Sequence, residues 1–183
     1  MKKTFQEVIT FIKNPTLEKD TNSDLSYRFK IFLHLLSISI ITGFVFTPIF
    51  VIIEELGFVN MEDHAIEDMM NKYSKPVIFI ITAIIAPVFE ELIFRAPITA
   101  FKGKNAFKFA FYIFTILFGM IHITNYTITT SVLLLTPFLV APQLLVGAYF
   151  GYIRTKFNLG WSMLLHATYN TFFMLIAFSS GAF

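Results

Sequence analysis

The sequence contains no cysteine among its 183 residues. This absence excludes disulfide bonds, thiolate zinc sites and cysteine nucleophiles, and it leaves the redox compartment undetermined. Charged residues are also scarce, because Asp, Glu, Lys and Arg make up only 14% of the chain, whereas a typical soluble domain has about a quarter. No basic run with interleaved aromatic residues is present, which argues against nucleic acid as a partner.

Apolar residues are correspondingly abundant. They make up 56% of the chain, phenylalanine alone accounts for 24 residues, and the mean hydropathy is +0.69, which is typical of a membrane protein. A hydrocarbon core of about 30 Å requires roughly 20 apolar residues per helix. On that basis the sequence predicts an all-α fold, a polytopic membrane helical bundle with about five transmembrane spans, at residues 30–53, 76–101, 106–126, 131–153 and 159–180.

The N-terminal part of the chain differs from the rest in composition. Residues 1–28 are polar, include four acidic residues and lack the apolar segment of a signal peptide, so we interpret them as a cytoplasmic leader. Residues 29–183 are predicted to form a single transmembrane helical domain. Four apolar residues of the leader have the spacing of one helix face and suit a short helix at the membrane interface, although a polar leader with a frayed helix fits equally well: Phe5, Val8, Ile9 and Ile12.

Lysine and arginine are distributed unevenly between the predicted loops. Most of them fall in the leader and in two connections on the same predicted side, residues 95–108 and 154–156, whereas only Lys72 and Lys75 fall on the other side. Positively charged loops stay in the cytoplasm. We therefore predict a multi-pass protein of the cell (inner) membrane, with the N-terminus in the cytoplasm and the C-terminus outside.

Ionisable residues within predicted spans are rare and therefore informative. The stretch PVFEELIFR places Glu90, Glu91 and Arg95 on the second span. Because residues four apart share a helix face, Glu91 can pair with Arg95, while Glu90, turned about 100° away, points elsewhere. Without a cation of its own, Glu90 is suited to exchange a proton in catalysis. Equally, the trio could be a buried salt bridge that locks helices together.

Two further spans carry histidines with polar neighbours. His122 ends the run FGMIH, with Phe118 one turn before it and Asn125 three residues after it. In HATYN, His166 and Asn170 are four residues apart and share a helix face. A lone membrane histidine is more often a hydrogen-bonding residue between helices than a catalyst, whereas several that converge indicate a site.

The segments EELIFR, FGMIH and HATYN, in this order, resemble the signatures EExxxR, FxxxH and HxxxN of the CAAX-protease and bacteriocin-processing family, also called the CPBP or Abi family. The resemblance covers the motif-bearing core at residues 76–175 and implies that this core has the helical fold of the family. It also implies a prokaryotic intramembrane glutamic endopeptidase. Such an enzyme hydrolyses a peptide bond of a membrane-associated peptide or protein, so its expected partners are the lipid bilayer and that substrate.

The resemblance also implies a role for each motif residue. Glu90 with His122 would activate a water molecule for attack on the scissile carbonyl, and His166 with Asn170 would hold the developing oxyanion. General-base catalysis needs a poised carboxylate, and an oxyanion needs fixed donors in a dry site, so these roles are chemically reasonable. Structural support is expected from Glu91, Arg95, Asn125 and Phe118.

Other interpretations remain open at this stage. A carboxylate and two histidines are a known catalytic zinc set, and here Glu90, His122 and His166 would make a zinc-dependent CAAX-type metalloendopeptidase. No HExxH occurs and an arginine adjoins the carboxylates, so the primary prediction is an enzyme without a metal or cofactor. A noncatalytic bacteriocin-immunity or scaffold protein is a further alternative, and so is a transporter with Glu90 as its proton site, although no inverted repeat is visible.

Overall fold

Helices make up almost all of the regular structure in this chain. The computed structural model describes residues 1–60 and 65–180, and within these ranges it contains no strand, which confirms the predicted all-α class. Residues 61–64 and 181–183 of the predicted domain 29–183 lie outside the described residues. The helices are α1 (Lys2–Lys13), α2 (Leu25–Glu55), α3 (Ala65–Lys72), α4 (Lys75–Ile80), α5 (Ala86–Phe94), α6 (Lys104–Ile121), α7 (Thr130–Leu139), α8 (Ala141–Lys156) and α9 (Leu159–Ser179).

Shorter turns extend three of these helices. A π-helical turn, Ile81–Ile85, joins α4 to α5, so that the second predicted span is one nearly continuous rod. The 3-10 turn Pro97–Ala100 comes soon after α5, and the 3-10 turn His122–Asn125 directly follows α6. His122 and Asn125 of the third span therefore lie on an irregular turn, whereas Glu90 and Glu91 of the second span lie on α5, between two such turns.

Four helical segments in the described part of the chain are long and apolar enough to cross a membrane. They overlap the first four predicted spans and support a membrane location. The fifth predicted span is α9, which is 21 residues long but carries several polar residues that lower its hydropathy. The prediction of about five spans is consistent with this set of helices. The four segments are Leu25–Glu55, Lys75–Ala100, Lys104–Asn125 and Thr130–Lys156.

Side-chain caps determine where two of the long helices begin. The carboxylate of Asp24 accepts a hydrogen bond from the N–H of Ser26 at 3.1 Å, so α2 starts before the apolar run that defines the predicted span. The side chain of Asn158 accepts from the N–H of Trp161 at 3.2 Å and starts α9 immediately after the basic turn. Both caps satisfy first-turn N–H groups that have no partner within the helix.

Helix α8 is central in the bundle, because it packs against α1, α2, α6, α7 and α9. Its two glycines face phenylalanine rings of α6. A Cβ atom at Gly147 would lie 2.7 Å from Cδ1 of Phe118, and one at Gly151 would lie 2.7 Å from Cε2 of Phe111. Glycines four residues apart therefore allow α6 and α8 to approach closely, with the rings filling the contact.

The leader is attached to the helical bundle. Helix α1 buries Thr4, Val8 and Phe11, whereas Phe5, which was predicted to belong to its apolar face, is 45% exposed. The hydroxyl of Tyr112 on α6 donates to the carbonyl of Ile12 at 2.9 Å. The leader helix thus turns a face that includes a threonine towards the protein, and leaves Phe5 at the outer surface.

Candidate active site

A cavity of about 300 Å³ lies among the helices that carry the three sequence motifs. Its walls include all four residues predicted to be catalytic, Glu90, His122, His166 and Asn170. Phe118 and Asn125 also line it, as does Met69 of α3. Side chains from α5, α6 and α9 and from the turn after α6 are therefore brought to one small space.

Glu91 and Arg95 are buried completely and form the ion pair predicted from their spacing. Oε1 of Glu91 lies 3.9 Å from Nε of Arg95, and the two side chains are 0% and 1% exposed. Nη2 of Arg95 donates to the carbonyl of Gly147 at 3.1 Å, and its guanidinium carbon lies 4.0 Å from the ring centroid of Phe118. The arginine thus ties α5 to both α6 and α8.

His166 lies between the two adjacent glutamates. Its Nδ1 is 3.1 Å from Oε1 of Glu91, and its Nε2 is 3.7 Å from Oε2 of Glu90. The ring stacks on Phe150 with 4.4 Å between centroids, and the other oxygen of Glu91 accepts a hydrogen bond from the hydroxyl of Ser162. Glu91 therefore holds the imidazole in an orientation that turns Nε2 towards Glu90.

Glu90 has a different environment from Glu91. Its side chain is 28% exposed and lines the cavity. Its Oε2 is buried and has no hydrogen-bond partner within the described ranges. Because buried carboxylate oxygens are normally hydrogen-bonded, an acceptor of this kind at a cavity wall is suited to hold a water molecule or a substrate group. The two adjacent carboxylates therefore differ in the way that the sequence predicts.

The tautomer of His122 follows from its hydrogen bond. Nδ1 lies 2.7 Å from the carbonyl oxygen of Phe118. A carbonyl oxygen can only accept, so Nδ1 carries a proton in this hydrogen bond. The side chain belongs to the residue that ends α6, where the chain tightens into the 3-10 turn that also carries Asn125.

Asn170 is connected to the π-helical turn of the second span. Its Nδ2 donates to the carbonyl oxygen of Thr82 at 2.9 Å. Thr82 lies within Ile81–Ile85, and both Thr82 and Asn170 line the cavity. One hydrogen of the carboxamide is used in this bond, and the second remains for another acceptor. π-Helical turns are frequent at functional sites.

Sequence analysis assigned no catalytic or supporting role to three residues of this site. Ser162, which hydrogen-bonds to Glu91, precedes His166 by the same interval of four residues that separates His166 from Asn170, and this repeated spacing could have revealed it. Gln143 lines the cavity from the first turn of α8. Thr82 contributes a main-chain carbonyl, for which the sequence has no residue-specific signal.

The metal alternative can be compared with the geometry. Over residues 1–60 and 65–180, no group of three or more His, Cys, Asp or Glu side chains is arranged to hold a metal ion. Glu90, His122 and His166 line the same cavity but do not form such a group. In this arrangement, therefore, these three side chains are not placed as the three protein ligands at about 2 Å that a catalytic zinc ion takes.

These observations define a membrane-spanning helical protein with an internal polar site. A family model described as the type II CAAX prenyl endopeptidase Rce1-like family matches residues 72–172, more than half of the chain and a region that includes all four predicted catalytic residues. The chain belongs to this family, which confirms the resemblance and indicates a membrane peptidase of the CAAX type. Comparisons with curated proteins and with solved structures found no match.

Proposed function

We propose that this protein is an intramembrane endopeptidase in which Glu90 activates the water molecule that attacks the peptide bond. One observation carries the proposal: Oε2 of Glu90 is buried at the wall of a cavity of about 300 Å³, has no hydrogen-bond partner in the described part of the chain, and lies 3.7 Å from Nε2 of His166. A carboxylate of this kind is an available proton acceptor.

The reaction needs one base and one set of donors. Glu90 takes a proton from water while the water oxygen forms a bond to the carbonyl carbon of the substrate, and the carbonyl oxygen becomes an oxyanion. Nδ2 of Asn170 and a protonated Nε2 of His166 donate hydrogen bonds to that oxyanion. The proton on Glu90 then passes to the amide nitrogen, the carbon–nitrogen bond breaks, and the products are a carboxylic acid and an amine.

His122 has a supporting part in this scheme. Nδ1 of His122 donates to the carbonyl of Phe118. In the neutral form of the ring, Nε2 then accepts a hydrogen bond from the second O–H of the attacking water. The water would then be held by Glu90 and His122 together, which directs one lone pair towards the carbonyl carbon. Orientation of this kind is a large part of the advantage of an enzyme site over free solution.

Glu91, Arg95 and Ser162 are positioning residues in this proposal. They do not line the cavity, but they fix the imidazole of His166 through the hydrogen bond to Glu91. A His166 ring that is held in this orientation presents Nε2 to the reaction without further movement. This arrangement also keeps the buried guanidinium of Arg95 compensated by a carboxylate.

The substrate proposed is a peptide or protein segment that reaches the site from the bilayer. The family description names CAAX prenyl endopeptidases, so peptides that end in Cys-aliphatic-aliphatic-X, with and without a farnesyl group, are the first substrates to test. The predicted location in the cell membrane, with the N-terminus in the cytoplasm, and the absence of a required metal are parts of the same proposal.

The experiment uses the full chain, purified in detergent, with both fluorogenic peptides. Glu90→Gln should lower kcat by at least about a hundredfold, because the base is lost while the shape is kept. The matched control is Glu55→Gln, since Glu54 and Glu55 are a second adjacent pair, exposed at the end of α2, and this change should leave the rate unaltered.

Two outcomes would contradict the proposal. Cleavage that survives Glu90→Gln removes this residue from the chemistry. Cleavage that a chelator abolishes and added zinc restores would replace the metal-independent mechanism by the zinc alternative. A farnesylated peptide that is cleaved while its unmodified form is not would assign the substrate to the prenylated class.

A further inference from the structure

Gln143 is a second residue of the cavity wall with an unused polar atom. Its Oε1 is buried and has no hydrogen-bond partner among the described residues. Within the cavity lining, only Glu90 shares this property in the part of the chain that the structure describes. A buried carboxamide oxygen normally has a partner, so one that lacks it and borders an internal cavity indicates a ligand or water that completes it.

The local fold determines that Gln143 reaches the cavity. Helix α7 ends at Leu139, and α8 starts at Ala141 with Pro142 in its first turn, so the chain changes helix at this point. A Cβ atom at Gly119 would collide with the side chain of Leu144. The glycine therefore lets the first turn of α8 contact the last turn of α6, immediately before His122.

Packing alone does not explain a glutamine at this position. An apolar side chain of similar volume, such as methionine, would fill the space without leaving a polar atom unpaired. Three other polar residues of the cavity have roles in the proposed reaction or in the fold: Glu90 and His122 would hold the attacking water, and Asn170 is bonded to Thr82. The oxygen of Gln143 is thus an acceptor that the proposed reaction does not use.

We propose that Gln143 is a substrate-binding residue that contacts the main chain of the peptide in the cavity. Its Oε1 accepts a hydrogen bond from a peptide N–H close to the scissile bond. An extended peptide loses the hydration of its N–H groups when it enters an apolar bundle, and a carboxamide replaces one of those lost bonds irrespective of the side chains. This inference rests on the proposed endopeptidase function.

The test measures binding in a protein that does not hydrolyse the peptide. The probe is a fluorescein-labelled farnesylated peptide that ends in Cys-aliphatic-aliphatic-X, bound to the full-length Glu90→Gln protein in detergent and followed by fluorescence anisotropy. A series of probes replaces one backbone N–H at a time by an ester oxygen. Each probe is measured with Glu90→Gln alone and with the added change Gln143→Met. The matched control adds Gln6→Met, a change at the only other glutamine, which lies on the leader helix.

We expect one ester substitution in the probe and the Gln143→Met change in the protein to weaken binding of the probe by similar factors. One ester position should raise the Kd for the Glu90→Gln protein roughly tenfold, the usual scale for one hydrogen bond to a buried partner. Gln143→Met should raise the Kd of the all-amide probe by a similar factor and abolish the effect of that ester, whereas Gln6→Met should change neither. In the active protein, Gln143→Met should raise KM more than it lowers kcat.

Three results would overturn the inference. The first is an equal Kd with and without Gln143→Met, and the second is an ester effect that persists in the Gln143→Met protein. If Gln143→Met prevents folding, the ester series measured on the Glu90→Gln protein decides alone. The third result is then a series in which no ester position raises the Kd. Failure of the proposed function is distinct, because it appears as wild-type protein that binds the probe without cleaving it.

Discussion

The side-chain amide of Asn170 on α9 donates to the main-chain carbonyl of Thr82, 88 residues earlier in the chain. The sequence gives a reason for this bond. In the π-helical turn, the N–H of Ala86 bonds to the carbonyl of Ile81, five residues back. The next donor in this register would be residue 87, which is proline and has no N–H. Asn170 therefore supplies a hydrogen bond that the main chain cannot make.

This relationship predicts that substitutions at Pro87 and Asn170 have non-additive effects on the free energy of unfolding. Asn170→Ala should lower the free energy of unfolding by about 1–3 kcal/mol, because the carbonyl of Thr82 loses its donor. In a Pro87→Ala background, the new N–H of residue 87 can donate to the carbonyl of Thr82. Asn170→Ala should then lower the free energy of unfolding by measurably less than it does in the wild type. Unfolding of the four proteins in mixed micelles gives the coupling free energy. Strictly additive losses would contradict the explanation.

The buried ion pair of Glu91 and Arg95 predicts strong coupling between these residues. Glu91→Leu or Arg95→Leu alone should lower the free energy of unfolding by about 3–5 kcal/mol, because one buried charge is left without its partner. The double variant should lose less free energy of unfolding than the sum of the losses in the two single variants. Unfolding titrations of the two single variants and the double variant measure this.

An exposed pair provides the matched control for that experiment. Lys3 and Glu7 have the same spacing along a helix and the same separation of 3.9 Å, but they are 91% and 43% exposed. Their double-mutant cycle should give a coupling of no more than about 0.5 kcal/mol. If both pairs gave the same small coupling, the buried pair would not be important for stability.

Two buried serines are expected to differ in their sensitivity to alanine. Ser162→Ala removes a hydroxyl that donates to Glu91 and should destabilise the protein by about 1–3 kcal/mol, because it leaves a buried acceptor unsatisfied. Ser39 is 0% exposed, and its hydroxyl has no hydrogen-bond partner within residues 1–60 and 65–180. Ser39→Ala should therefore be nearly neutral. Thermal unfolding in detergent measures both variants, and equal losses would contradict the role of Ser162.

The environment of Asp20 predicts that the attachment of the leader to the helical bundle depends on pH. Burial raises the pKa of Asp20, but hydrogen bonds from Tyr27 and from the N–H of Asn22, with Lys156 and Arg28 nearby, outweigh it and hold this pKa below the ordinary value of 3.8. A lowered folded-state pKa gives stability that is present above the unfolded-state pKa and is lost as the pH falls through the folded-state value.

The leader should accordingly resist proteolysis near neutral pH and become more accessible only below about pH 4. Asp20→Asn should increase cleavage of the leader by an added protease at pH 7, because the carboxylate that Tyr27 and Asn22 contact is lost. Glu18→Gln, which removes an exposed charge two residues earlier, is the matched control. If both variants were cleaved at the same rate, the bonds to Asp20 would not hold the leader in place.

The helices and the motif positions could be predicted from the sequence because both depend on local patterns. Runs of apolar residues define the spans, and the interval of four between Glu91 and Arg95 places them on one face of a helix regardless of the rest of the fold. The proximity of His166 to Glu91 could not be derived in this way. It depends on the packing of α9 against α5, which no spacing within one helix determines.

The π-helical turn and the position of Gln143 could not be predicted from the sequence for different reasons. Pro87 marks a place where an ordinary helical hydrogen bond is missing, but it does not specify whether the chain kinks, starts a helix or widens into a π-helical turn. Gln143 lies in an apolar run with two prolines, so its sequence context fits either a substrate groove or a simple kink in the fourth span. Its position at the cavity depends on the contact between Gly119 and Leu144, which belong to different helices.

The size of the cavity restricts the length of peptide that can lie in it. A single turn of α-helix with its side chains is about 10 Å wide and 5.4 Å long, which corresponds to roughly 400 Å³, whereas the cavity measures about 300 Å³. A whole helical turn therefore exceeds the cavity volume, and at the same volume per residue about two residues of a peptide can lie in the cavity at one time. If the proposed reaction acts on a transmembrane helix, less than one turn of that helix can occupy the cavity at once, so that the selectivity of cleavage would depend on where the target helix unwinds as well as on its side chains.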